Sequence, residues 1–223
     1  MSERMHPQRT SVQYAVRKPL LDWLRMQRFA QLRVLDVGCG DQPYAELLAG
    51  AAEAVGFDVP GNPHADLHGS IEAIPVEDAS FDVVLCLQVL EHVPDPAAAV
   101  RELRRAVRPG GRVLVTTHGI YPFHPNPDDL WRWTHTGLER LFRENGDWSS
   151  VTVHPGAGTA ATVTMLIAHL VDLLFKRARL RPLGRPLVAV LNALGEALDR
   201  AVPMLREPIP GSLSANFHVD AVA

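Results

Sequence analysis

The chain has 223 residues, 47% of them hydrophobic and 21% charged, and a net charge of −3. This suits a globular protein with one sizeable core, or a domain with an appendage. It excludes a globally basic nucleic-acid binder, and the sequence shows no uninterrupted apolar run of the ~20 residues that span a bilayer.

Residues 1–10 are polar and hold no secretory apolar core. Residues 11–30 predict a helix, because Val12, Val16, Leu20, Trp23 and Leu24 recur at spacings of three or four. Pro19 is expected to bend or divide it. Val34-Leu-Asp-Val37 reads as a short strand leading into a glycine turn. Residues 43–49 predict a helix with Asp41 as N-cap and Gly50 as its stop. Residues 54–58 form a second strand ending on Asp58, and residues 64–69 hold a short third.

Phe81-Asp-Val-Val-Leu-Cys-Leu87 is nearly all apolar, as in a strand buried on both faces of a parallel sheet. Asp82, at its start, reads as a structural turn carboxylate. Asp95-Pro96 opens a helix with Pro at the first helical position, striped by Val100, Leu103 and Val107 and stopped at Pro109-Gly-Gly111. Residues 113–117 read as a strand, 136–143 as a helix and 150–154 as a strand. Two amphipathic helices follow within residues 159–202, separated by residues 179–186. The first carries a polar stripe of Thr162, His169, Asp172 and Lys176. The second carries Asn192, Glu196, Asp199 and Arg200 on one face. Residues 213–222 look like a closing strand. Strand–helix alternation of this kind predicts an α/β sheet, mostly parallel, with helices on both faces. The two cysteines, Cys39 and Cys86, read as buried reduced thiols, which fits a cytoplasmic setting.

The most informative stretch is Arg33-Val-Leu-Asp-Val-Gly-Cys-Gly-Asp41. Gly38 and Gly40 let the backbone turn sharply and approach a ligand. Asp36 can order that turn or accept a bond from an ammonium group. Asp58, 18 residues after Gly40, stands where a second strand end would offer a carboxylate to ribose hydroxyls. A dinucleotide fingerprint wants Gly or Ala at the sixth position, and Pro43 stands there. Asp36 also suits a pyrophosphate poorly. Together they favour a cationic, phosphate-free adenosyl ligand over a nicotinamide dinucleotide.

The chain resembles class I S-adenosylmethionine-dependent methyltransferases of the "type 11" kind over roughly residues 30–145. The resemblance rests on ordered blocks: Val34-Leu-Asp-Val-Gly-Cys-Gly40, Gly56-Phe-Asp58, Ile71-Glu-Ala-Ile-Pro75, Ser80-Phe-Asp-Val-Val84, Val89-Leu-Glu-His-Val93 and Arg108-Pro-Gly-Gly111. It implies a Rossmann-like, doubly wound sheet of seven mostly parallel strands. Residues 1–158 and 211–223 would form that domain, with residues 159–210 as a helical insertion before the last strand. S-adenosyl-L-methionine is the implied cofactor. The backbone through Asp36, Gly38, Cys39 and Gly40 would face its methionine part, and Asp58 its ribose. Ser70 and Ile71 would border adenine, and Leu87 and Gln88 the sulfonium or amino group. Ser70 stands where the family usually has Asp.

Methyl transfer to oxygen is served by in-line positioning and by a base. The histidines after the fourth and fifth strands, His92, His118 and His124, are the candidates, with His92 first. Gln88, Glu91 and His92 would share one face of a helix. Gln88 is a weak ligand for a hard cation, so no metal is expected. In the proline-rich stretch 121–133, Tyr121, His124, Asp128, Trp131 and Arg132 read as a substrate wall; a structural loop is the alternative.

The helical pair reads as a lid, a dimerisation surface or a membrane-surface anchor. Lys176, Arg177, Arg179, Arg181 and Arg185 form a cluster with no acid among residues 176–185. The expected activity is methylation of a small-molecule or lipid-like acceptor, at oxygen, by a cytoplasmic or membrane-peripheral enzyme with no nucleic-acid partner. A non-catalytic module that keeps the fold as a scaffold is the alternative.

Overall fold

A computed structural model describes residues 3–125 and 127–223. Met1, Ser2 and Asn126 lie outside the described residues, so the N-terminal reading is followed from residue 3 and the 121–133 stretch on either side of residue 126.

Seven strands form one sheet: β1 (Arg33–Val37), β2 (Glu53–Asp58), β3 (Leu67–His68), β4 (Phe81–Leu87), β5 (Val107–His118), β6 (Ser150–Pro155) and β7 (Asn216–Val222). Their order is β3-β2-β1-β4-β5-β7-β6. The first five are parallel, and β7 runs antiparallel to both β5 and β6. The order reverses between β1 and β4, so a crevice opens at the carboxyl ends of those two strands.

Successive residues of β4 explain why its sequence is apolar throughout. Val84 and Cys86 enter one core with Leu103, Leu138 and Phe142, while Val83, Leu85 and Leu87 enter the other with Leu20, Leu21 and Leu24. Each fully buried side chain of this size stabilises the fold by about 1.5–3 kcal/mol before entropy is counted. The helices covering the sheet are α1 (Tyr14–Arg25), α2 (Ala45–Leu48), α3 (Pro96–Ala106) and α4 (His135–Glu144). Asp95 caps α3 by accepting from the Ala98 N–H at 2.9 Å, as its sequence signature predicts.

Several local expectations are corrected. The helix placed at 11–30 covers only Tyr14–Arg25, and Pro19 sits inside it without ending it. The helix placed at 43–49 begins at Ala45, and Asp41 caps nothing, because Gln42 takes a φ of +50° and prolongs the turn. Pro109-Gly-Gly111 does not separate α3 from the next strand. It lies within β5, where a bulge shifts the register against β4 between Phe81 and Val83. There a Cβ on Gly111 would meet the Asp82 carbonyl at 2.7 Å. Asp82 is the expected structural carboxylate, accepting from the Arg33 N–H at 2.6 Å and pairing with Arg108. Both cysteines are free and buried.

The helical pair consists of α5 (Thr159–Arg177) and α6 (Arg181–Ala201). The linker expected at 179–186 shrinks to residues 178–180, because Pro182 is tolerated in the first turn of α6 and Pro186 lies within the helix. By length and composition α5 is apolar enough to cross a membrane, which the residue-run reading missed because His169 and Asp172 interrupt the run. The two helices approach closely where a Cβ on Gly195 would meet Thr164 Oγ1 at 2.1 Å. Asp199 of α6 caps α5 by accepting from the N–H groups of Ala160 at 2.9 Å and Ala161 at 3.2 Å.

The polar stripes of the pair are not all on its solvent side. Thr162, Asn192 and Asp199 are buried. Asn192 donates to the carbonyls of Arg9 at 2.7 Å and Ser11 at 2.9 Å. Glu196 accepts from Arg9 at 2.7 Å and from the Tyr14 hydroxyl at 3.0 Å. The α6 polar face therefore holds the N-terminal segment in place.

Candidate active site

A cavity of about 370 Å³ lies in the crevice at the carboxyl ends of β1 and β4. At one end, Gly38 and Gly40 turn with φ of +73° and +56°. A Cβ on Gly38 would meet Val89 Cγ2 at 2.3 Å, so only glycine lets the turn lie against the segment after β4. Asp58 braces the turn: it accepts from the Gly40 N–H at 2.8 Å, from the Val59 N–H at 2.7 Å and from Asn62 at 2.7 Å. A carboxylate has roughly four lone-pair sites, so a hydroxyl can still be received there. Ser70 and Ile71 line the same cavity, as do Leu87 and Gln88. Gln88 takes a φ of +60° and donates to Thr116 Oγ1 at 3.0 Å.

Asp36 and Cys39 stand behind the turn rather than on this cavity. Asp36 borders a smaller cavity of about 170 Å³ with Gln42 and Gly56. Burial, then the charge of Asp58, pushes its carboxyl up to about 7, with Arg4 pulling the other way. The Cys39 thiol lies 3.8 Å from the Gly40 carbonyl, and burial pushes it up to about 12, so it is no nucleophile at neutral pH.

At the other end stand Glu91, His92, His118, Tyr121 and His124. Glu91 is fully buried. Its Oε2 accepts from Thr117 Oγ1 at 2.8 Å, and its Oε1 lies 3.3 Å from His118 Nε2. That approach is an ion-pair distance without hydrogen-bond alignment, and Glu91 Oε1 and His118 Nδ1 are both buried without a hydrogen-bond partner. Burial raises the Glu91 carboxyl and lowers the His118 imidazole to about 3, so each is driven toward its neutral form. His118 stacks on Tyr121 with ring centroids 4.0 Å apart, and His124 stands edge-on to both. Burial, then the neighbouring His92, lowers His124. His92 directs Nδ1 to the Asp128 carbonyl, and its Nε2 lies 4.0 Å from Glu91 Oε1.

Residues 35–115 match the family model described as "Methyltransferase domain". That match lies within the stretch whose motifs resemble class I S-adenosylmethionine-dependent methyltransferases. A ubiquinone biosynthesis O-methyltransferase from Ralstonia nicotianae is 40% identical over 114 residues, 44% of this chain and 48% of that protein. A probable S-adenosylmethionine-dependent methyltransferase from Mycolicibacterium smegmatis is 36% identical over 146 residues, 60% of this chain and 57% of that one. The chain spans about half the length of these curated relatives. A putative methyltransferase from an antibiotic biosynthesis pathway of Anabaena variabilis shares the fold over the whole of both chains, with a TM-score of 0.55 at 16% identity. The [4+2]-cyclase SpnF shares it over 92% of this chain and 80% of that one, with a TM-score of 0.57 at 19% identity.

S-adenosylmethionine appears in the name of the Mycolicibacterium smegmatis relative, and the donor set of this chain fits it: a glycine turn, a strand-end carboxylate and an apolar wall share one cavity. Of the residues expected on a substrate wall, Tyr121 and His124 line the cavity, and Asp128, Trp131 and Arg132 do not. Those three fasten the loop instead. Arg132 pairs with Asp129 and donates to the carbonyls of Tyr121 at 3.0 Å and Pro122 at 2.9 Å. Trp131 Nε1 donates to the Val93 carbonyl at 2.7 Å, and the Asp128 carbonyl holds His92. Gln88, Glu91 and His92 do not converge either. Only residues 90–92 form a 3₁₀ turn, Gln88 bonds Thr116, and Glu91 dives into the core. Among the described residues, no group of three His, Cys, Asp or Glu side chains is arranged to hold a metal.

The cavity also has walls that local sequence reasoning missed. Arg4, Gln13, Val16 and Arg17 come from the N-terminal segment. Arg17 pairs with Glu3 at 2.9 Å. The apolar stripe of α1 marked Val16 as inward, but nothing local says that α1 closes over a strand edge.

Proposed function

We propose that this chain moves the methyl group of S-adenosylmethionine to a hydroxyl of a small acceptor with an apolar body. The observation that carries this reading is one cavity holding the glycine turn and Asp58 at one end and the buried Glu91–His118 pair at the other. When bound, S-adenosylmethionine supplies an electrophilic methyl carbon on a sulfonium. The turn amides and Asp58 orient the adenosyl and ribose parts, and Asp36 behind them favours the amino group. Leu87, Val89 and Val93 give the cavity apolar surface that keeps water from the transfer.

The proton released by the acceptor hydroxyl goes to His118. Its ring lines the cavity, its Nδ1 has no other partner, and Glu91 behind Nε2 steadies the imidazolium that forms. His92 is less available, with Nδ1 committed to a backbone carbonyl. His124 lines the wall beside the acceptor. The name of the Ralstonia nicotianae relative, ubiquinone biosynthesis O-methyltransferase, makes a phenolic hydroxyl the first acceptor to try.

Calorimetric titration with S-adenosylmethionine and S-adenosylhomocysteine, followed by a mass-spectrometric screen of phenolic acceptors, tests this reading. Binding of both, with a methyl added to one acceptor, supports it. Absence of binding to either would sink it.

A further inference from the structure

The outward faces of α5 and α6 are the largest feature the transfer chemistry does not use. In α6, Leu183, Leu187, Val190, Leu194 and Leu198 follow one another at spacings of three and four, which sets them in one stripe. All five are exposed, between 42% and 64%. The opposite stripe of α6 carries Gly184, Val188, Asn192, Gly195 and Asp199, and these are buried. The helix is therefore turned with its small and polar residues inward and its leucines outward. The same holds for α5, where Leu166, Leu170 and Leu173 are exposed and Ala161, Met165 and Ala168 are buried. A contiguous apolar face of this extent marks an interaction surface.

Charge identifies what that surface meets. Residues 173–195 contain Lys176, Arg177, Arg179, Arg181 and Arg185 and no Asp or Glu, in a chain whose net charge is −3. Arg181 pairs with Asp172 at 2.9 Å. Among the described residues the other four form no ion pair, and all four are exposed. Arg177 continues the exposed stripe of α5, four residues after Leu173. A second copy of the chain would bring the same leucines with the same cations, and no acid within residues 173–195 would answer them. An apolar face joined to unanswered cations matches the acyl–headgroup boundary of a bilayer that carries anionic lipid.

We propose that α5 and α6 seat this protein flat on an anionic phospholipid surface, with the leucine stripes in the acyl boundary and Lys176, Arg177, Arg179 and Arg185 among the headgroup phosphates. The pair lies on the surface and does not cross it, since Thr164 and Asp199 of its buried side pack the two helices on each other. The cavity stands one side chain away: His169 of α5 packs edge-on against Tyr121, with ring centroids 5.6 Å apart.

Vesicle flotation of the full chain tests this, with phosphatidylcholine vesicles alone and with phosphatidylcholine containing phosphatidylglycerol. The protein is expected to float with the anionic vesicles and to stay down with the neutral ones. The quadruple variant K176E/R177E/R179E/R185E should lose about tenfold or more of the vesicle-bound fraction while keeping its circular dichroism and its S-adenosylhomocysteine affinity. Leu187→Asp and Val190→Asp, both on the outward stripe, should each lower flotation without unfolding the chain. Equal flotation with both vesicles overturns the proposal. So does absence of flotation, whether the chain sediments as a monomer or as a dimer that Leu187→Asp dissociates. These readouts do not depend on methyl transfer, so failure of the proposed activity and failure of membrane docking are distinguished.

Discussion

Glu91 Oε1 and His118 Nε2 lie 3.3 Å apart, and both side chains are buried beneath the cavity that also holds Asp58. Burial favours the neutral form of each, so the pair accepts a proton as a unit. The Glu91 carboxyl, raised to about 7, must ionise before it can steady a protonated His118. We predict that kcat/KM rises as pH passes through about 7 and that Glu91→Gln flattens this rise. His118→Ala should lower kcat by about 100-fold while S-adenosylhomocysteine affinity changes by less than about twofold. An unchanged kcat would remove His118 from the role.

In the proposed function, Asp58 joins the turn to the cofactor's ribose. Asp58→Ala removes the acceptor for Gly40 N–H and Asn62 together with the one offered to the ribose hydroxyls. Hydrogen bonds to a charged group contribute about 1.5–3 kcal/mol, so S-adenosylhomocysteine should bind about 10–100-fold more weakly by calorimetry. Affinity within twofold of the parent would show that ribose is held elsewhere.

Asp36 makes a distinctive pH prediction. Its folded value of about 7 lies above the ordinary 3.8, so the fold keeps the proton more tightly than the unfolded chain does. Its stabilising contribution is therefore full below about pH 4 and is lost as pH rises through 7. Buried His118 and His218, both lowered to about 3, act in the opposite direction: their contribution is full above 6.5 and is lost as pH falls toward 3. In urea unfolding without cofactor, Asp36→Asn should match the parent near pH 4.5. By pH 8 it should be more stable, relative to that match, by on the order of 2–4 kcal/mol. A difference that does not vary with pH would contradict this.

The crossing of α5 and α6 is tight enough to test by size alone. A side chain at Gly195 meets Thr164 Oγ1 at 2.1 Å and Ala161 Cα at 2.7 Å. Gly195→Val should destabilise the chain by about 1–3 kcal/mol, and a lowered thermal midpoint would show it. Gly61→Ala is a useful comparison, since nothing lies within 4 Å of a Cβ there and only its φ of +97° is strained.

What could be read from the residues divides along physical lines. β4 and the Asp95 cap were legible because a buried parallel strand and an N-cap each leave a short local signature. Gly38, Gly40, Asp58, Ser70, Ile71, Leu87 and Gln88 share one cavity because all stand at or just beyond the carboxyl ends of adjacent parallel strands. The start of α2 was misplaced because the positive φ of Gln42 is not something its side chain announces. Trp131 and Arg132 look like recognition groups by type, yet their polar atoms are spent on backbone carbonyls and Asp129, and Asp128 meets His92 through its backbone carbonyl. The contribution of Arg4, Gln13 and Arg17 depends on a contact between distant parts of the chain, which no local pattern encodes.

The hold of Asn192 on the Ser11 carbonyl spans 181 residues of sequence. Its consequence lies in the timing of synthesis. While the chain is being made, β1 to β5 and the glycine turn emerge early, but the carbonyls of Arg9 and Ser11 lack their Asn192 partner until α6 has left the ribosome. Cofactor retention should therefore switch on late and abruptly. Ribosome-bound chains stalled before residue 192 is exposed should release radiolabelled S-adenosylhomocysteine quickly, and chains stalled past residue 201 with α6 exposed should keep it. Equal retention at both lengths would mean that the α6 anchor is dispensable for holding the ligand.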